Sequence, residues 1–119
     1  MSNVQELLDG LMEQDGAKAA CVVDSASGMI LGRAGSGIDL DIAAAGNTDV
    51  VRAKIKTMRA LGLLGSMEDA LMTLEDLYEI IRPAKANRAM FIYFLLDRAH
   101  GNLAMARYRV AEVDNKMVI

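Results

Sequence analysis

Chemically versatile side chains are scarce in this sequence. Cys21 is the only cysteine, so no intramolecular disulfide can form, and a reducing compartment is expected. Cys21 has no C-x-x-C partner and sits in an apolar run, where it reads as a small core residue. His100, the only histidine, lies in the polar stretch DRAHGN, and one histidine with one distant cysteine falls short of a metal-ligand set or a Cys–His nucleophile pair. Tryptophan is absent and aromatics are limited to three Tyr and two Phe, most of them in the apolar cluster FIYF. That leaves no exposed stacking platform for single-stranded nucleic acid. A balance of 13 Lys and Arg against 16 Asp and Glu, net −3, argues against general affinity for nucleic acid or an acidic membrane. The longest uninterrupted apolar run, Ala89 to Leu96, is far below the roughly 20 residues of a spanning helix. The first fifteen residues carry Glu6, Asp9, Glu13 and Asp15 and no Lys or Arg, unlike a secretory signal. A soluble, cytoplasmic protein with no metal and no cofactor is expected. The single proline and the lack of low-complexity tracts point to one ordered domain over 1–119, with its core at about 3–115.

What is present is periodicity. Val4, Leu7, Leu8, Leu11 and Met12 recur at helical spacing and predict a first helix over Asn3–Gln14, with Asn3 and Glu6 as a capping box. Ala19–Asp24 and Met29–Ala34 read as two strands joined through Asp24-Ser25-Ala26-Ser27-Gly28, turn residues with Gly28 free to take positive φ. The glycines of GMILGRAGSG therefore belong to a hairpin and a flexible exit at Gly35-Ser36-Gly37. A phosphate loop needs a helix directly after the glycines and a Gly-Lys-Ser/Thr ending, which this stretch lacks. Asp39 caps a long helix to about Leu61, with an apolar stripe of Ala44, Thr48, Val51, Ile55 and Met58. A second stripe, Asp49, Arg52, Lys56 and Arg59, is polar and mainly basic.

Met67–Leu74 and Leu77–Arg82 read as two strands near a sheet edge, the second ended by Pro83. The neighbouring carboxylates Glu68-Asp69 and Glu75-Asp76 point to opposite faces and so cannot share a substrate as acid and base. Ala89–Asp97 is apolar on both faces and belongs at the centre of a sheet. Leu103, Ala106, Val110 and Val113 mark the buried side of a last helix capped by Asn102, with a loose tail after Asn115. The order α-β-β-α-β-β-β-α calls for an α+β sandwich of five strands, one long helix on one face and two helices on the other. One helix rarely covers five strands. The exposed remainder suggests a homodimer through the long helix and the 67–74 strand edge, with Val51, Ile55, Met58, Glu68, Ala70 and Met72 as interface candidates. Asp49, Arg52, Lys56 and Arg59 are the candidates for partner recognition.

Four stretches, AACVVDSASGMILGRAG, AGNTDVVRAKIKTMRALGLLG, EDALMTLEDLYEIIRPAK and AMFIYFLLDRAHGNLAMARYRVAEV, together resemble the Roadblock/dynein light-chain family in its bacterial branch, over roughly residues 3–115. The resemblance implies a profilin-like fold with an antiparallel sheet, continuous across a dimer through the third strand, and paired central helices. It also implies a non-enzymatic platform or regulator for a Ras-like small GTPase or a scaffold. No single arginine stands out as a finger, so a GTPase-activating role would work by positioning the GTPase's own groups. The alternative is a small-ligand sensor of PAS/GAF-like type, which needs a roomy pocket with convergent polar groups. An enzyme would need a catalytic cluster that these residues do not supply.

Overall fold

A computed structural model describes residues 2–63 and 65–119. The elements are α1 (Val4–Leu11), β1 (Ala17–Asp24), β2 (Met29–Gly35), α2 (Leu40–Ala60), β3 (Ala70–Thr73), β4 (Leu77–Pro83), β5 (Met90–Asp97) and α3 (Leu103–Lys116). The strands form one antiparallel sheet in the order β2-β1-β5-β4-β3. β5, apolar on both faces, lies at its centre. α2 covers one face, and α1 and α3 cover the other.

Alternation along the central strands builds two cores. Ala19, Cys21 and Val23 of β1 join Phe91, Tyr93 and Leu95 of β5 beneath α2. Ala20 and Val22 join Ile92, Phe94 and Leu96 beneath α1 and α3, which add Leu8, Leu11, Ala106 and Val110. Each large side chain buried this way stabilises the fold by about 1.5–3 kcal/mol. The first hairpin closes as its turn residues demand: the Asp24 carboxylate accepts from the Ala26 amide at 3.0 Å and Gly28 takes φ +75°.

Several boundaries differ from the sequence-based expectation. α1 ends at Leu11 rather than Gln14, and Asn3 makes no side-chain cap. Its Nδ2 donates to the Lys116 carbonyl at 2.8 Å and its Oδ1 accepts from the Val118 amide at 2.7 Å. The same clamp lies within the segment expected as a loose tail after Asn115: α3 runs to Lys116 and Met117 is buried in the core, while Val118 and Ile119 are exposed. The expected flexible exit at Gly35 is in fact tightly packed. Gly35 has φ +82°, and a Cβ there would sit 2.1 Å from the Lys18 carbonyl oxygen. β3 is four residues long instead of spanning Met67–Leu74. β4 includes Pro83, paired with Phe91 at the strand end, where a missing N–H costs at most one ladder bond.

Candidate interaction surface

α2 begins where Asp39 caps it, its carboxylate accepting from the Asp41 and Ile42 amides at 3.0 and 3.1 Å. Leu40, Ala44, Thr48 and Val51 pack against the sheet, and the Thr48 hydroxyl is satisfied by the Ala44 carbonyl at 2.7 Å. Ile55 and Met58, expected in the same buried stripe, are only half-buried. The reason is lateral placement: α2 packs over β1 and β2, at one side of the sheet, so its second half stands clear of β4 and β3.

That offset opens a groove of about 540 Å³ between α2 and β3. Val50, Lys54 and Met58 line it from the helix and Met67, Ala70 and Met72 from the strand side, with Val51 and Ile81 beneath. Of the residues expected at a dimer interface, Val51, Met58, Glu68, Ala70 and Met72 come together here, while Ile55 packs into the core below the helix. Val50, Leu63 and Leu71 were missed by the sequence reading, and they leave the surface strongly apolar at 46%, 54% and 39% exposure. For Val50 the signal was available: it precedes Lys54 by one turn, on a flank belonging to neither stripe.

The two sheet edges are unlike. Along β2 the register slips between Val22 and Val23, leaving Leu31 as an unpaired bulge residue, and Arg33 there is tied to Asp41 at 2.8 Å. Bulges and charges of this kind blunt an edge against pairing. β3 is Ala-Leu-Met-Thr, with no charge and no bulge in its pairing with β4. Of the two acids before it, Asp69 is held by Arg107 of α3 through two hydrogen bonds of 3.0 Å. This bidentate pair draws one negative charge off the edge and leaves Glu68 exposed beside it.

Asp49, Arg52, Lys56 and Arg59 are all exposed, and among the described residues none has an ion-pair partner. They occupy the flank of α2 away from the groove, since Lys54 and Lys56 are separated by roughly 200° around the axis. Asp41 lies three turns before Arg52 on that flank and contacts β2, which sets the flank's direction. One helix thus divides an apolar groove from a cationic stripe.

Cys21 and Tyr93 are buried, whereas His100 is exposed beside a carboxylate. Burial pushes the Cys21 thiol up to about 12, against a smaller opposing effect of Arg33. Tyr93 donates its hydroxyl to the Glu79 carboxylate, and burial followed by that bond raises its pKa. His100 Nδ1 lies 2.6 Å from Asp97 Oδ2 at the surface. Among the described residues no group of three His, Cys, Asp or Glu is placed to hold a metal, and no described helix is long and apolar enough to cross a membrane. A further concavity of about 990 Å³ is an open groove between α1 and α3.

The fold was compared with solved structures. Myxococcus xanthus MglB superposes with a TM-score of 0.83 at 16% identity, over 95% of this chain and 89% of that one. A Roadblock/LC7 domain from Streptomyces avermitilis gives 0.80 at 17% identity, over 93% and 91%. This chain has the Roadblock/LC7 fold. An MglB with tetrameric arrangement, also of this fold, gives 0.78 at 17% identity, over 92% and 80%. No family model matches the sequence, and no curated protein matches it. The three helices and five-stranded antiparallel sheet of this chain match the Roadblock/LC7 fold.

Proposed function

We propose that this chain is a non-catalytic interaction module that acts as a homodimer. β3 pairs with β3 of a second copy, and the two α2 helices lie side by side over the joined sheets. The observation carrying this reading is the apolar groove between α2 and the uncharged, unpaired edge of β3. A second copy bringing its own Val50, Met58 and Met72 fills that groove, and the adaptable Met58, Met67 and Met72 suit such a contact. The MglB solved in a tetrameric arrangement supports self-association for this fold.

The paired helices then present two copies of the Arg52, Lys56 and Arg59 stripe to a partner. A Ras-like small GTPase or a scaffold protein with an acidic surface is that partner, in keeping with the sequence's resemblance to Roadblock proteins. Sedimentation equilibrium tests the first step: the wild type is a dimer and Leu71→Glu, placed on the edge strand, is a folded monomer. A wild type that stays monomeric at 100 μM (about the strength of a weak dimer, ~5 kcal/mol) overturns it. Titration calorimetry against a purified Ras-like GTPase in each nucleotide state tests the second. Reversal of Arg52, Lys56 and Arg59 together weakens binding while the dimer persists, and unchanged affinity removes the stripe from the interface. Stabilisation by a nucleotide or metabolite in a thermal-shift screen, undiminished in Leu71→Glu, would favour a ligand sensor instead.

A further inference from the structure

Two further charged features flank β3, one at each end of the strand. Where β4 ends, a pocket of about 390 Å³ is lined by Ser66, Glu68, Arg82, Lys85, Arg88 and Asp114, among others. Arg82 is only 7% exposed, and its Nε donates to Asp114 at 2.9 Å. The other Asp114 oxygen accepts from the Lys85 amide at 2.9 Å, so this carboxylate is fully engaged. The terminal N–H groups of Arg82 have no partner among the described residues. Arg82 lines the pocket, and the end of its guanidinium beyond Nε is the part that Asp114 leaves unengaged. With Lys85 and Arg88, the pocket holds three cations against two carboxylates.

The second feature is the turn between β3 and β4, which carries Glu75 and Asp76. Its backbone is gripped by Arg98, whose Nη1 donates to the Leu74 carbonyl at 2.8 Å and whose amide donates to the Asp76 carbonyl at 3.0 Å. The Arg98 guanidinium also lies over the Tyr78 ring, 5.0 Å from its centroid. The Glu75 and Asp76 side chains are exposed and have no polar partner among the described residues. The turn is therefore a fixed acidic knob.

Knob and pocket lie at opposite ends of β3. Glu68 and Ser66 precede the strand, Ala70 pairs with Ile81 next to Arg82, and the turn follows Thr73. Antiparallel pairing of β3 with its copy about a two-fold axis sets the start of one strand beside the end of the other. With strands about 4.8 Å apart, the second copy's turn lies roughly 10 Å from β4, a gap that facing Lys, Arg and Glu side chains bridge together. We propose that Glu75 and Asp76 of one protomer dock against Lys85, Arg88 and the open end of Arg82 of its partner. The contact occurs twice per dimer and sets the register and specificity of self-pairing. This inference rests on the homodimer reading above.

The test uses two full-length variants, Glu75→Lys/Asp76→Lys and Lys85→Glu/Arg88→Glu, which change only exposed side chains. Each alone has like charges at both contacts, and its dimer weakens about tenfold or more in sedimentation equilibrium at low salt. Mixed in equal amounts, they form a heterodimer in which both contacts are attractive, read directly by native mass spectrometry. The preference fades by 1 M salt, where the screening length falls to about 3 Å. Circular dichroism confirms that each variant is folded. If the wild type is a dimer but the variants pair with themselves as well as with each other, this inference fails and the homodimer stands. If the wild type is a monomer, the homodimer reading fails with it.

Discussion

Removing one carboxylate from the interior is the sharpest test of how α3 is fastened to the sheet. Asp114, 1% exposed at its side chain, faces Arg82, 9% exposed, at 2.9 Å across 32 residues of sequence. Asp114→Ala leaves a buried guanidinium without its counter-ion and frees the Lys85 amide as well. Breaking a buried pair from one side costs about 3–5 kcal/mol. A chain of 119 residues holds roughly 6–18 kcal/mol in total, so the variant still folds but with a visibly smaller margin. At about 2.1 cal/mol/K of unfolding entropy per residue, the loss corresponds to a drop in Tm of about 12–20 °C. Replacing both partners, Arg82→Met with Asp114→Leu, restores most of it, because an apolar pair of similar volume needs no desolvation of charge. Thermal and urea unfolding followed by circular dichroism read both values. Protein concentration must be held fixed, since self-association would couple Tm to it. A loss below about 1 kcal/mol for Asp114→Ala would show the pair to be solvated like a surface bridge. A double variant as unstable as the single one would refute the argument from an unpaired buried charge.

Gly35→Ala forces an L-residue into φ +82° and drives its Cβ to 2.1 Å from the Lys18 carbonyl; a destabilisation of about 3 kcal/mol or more is expected, measured by urea unfolding. Asp39→Ala removes the carboxylate that caps α2 at two amides and costs about 1 kcal/mol, whereas Asp39→Asn restores most of that. The His100 ring first, then the Ala99 amide, hold the Asp97 carboxyl below the usual carboxylate range. Its contribution to stability is therefore present above the unfolded pKa, about 3.9, and disappears as pH falls through the lower folded value. In His100→Ala the Asp97 pKa moves up toward the ordinary value, a change that carbon-detected NMR titration follows. Cys21, its thiol pushed up to about 12 by burial, resists a thiol reagent in the native protein and reacts once urea unfolds it.

Some of the candidate surface was legible in one dimension and some was not. The Asp49, Arg52, Lys56 and Arg59 stripe follows from helical spacing alone, and all four residues do stand exposed on one flank. The groove does not follow from it. Val50 and Lys54 fall in neither stripe, and Leu63 lies beyond the helix, so no periodic pattern joins them to Leu71 and Met72. What joins them is the position of α2 over β1 and β2 rather than over the sheet's middle. Asp69 reads locally as an edge-guarding charge beside Glu68. Its pairing with Arg107, 38 residues away, is visible only once α3 has docked.

The amino-acid order by itself determined which segments are helix and strand, which turns join them and which strand is central. Those choices rest on spacings of two and three to four residues and on the local preferences of Asp, Asn and Gly. The tertiary structure alone decided where Asn3 spends its side chain, how Arg82 and Asp114 meet, and that α2 sits off-centre to leave an apolar groove beside a bare strand edge. Each of these depends on groups far apart in the chain, brought together only by packing two cores on opposite faces of one twisted sheet.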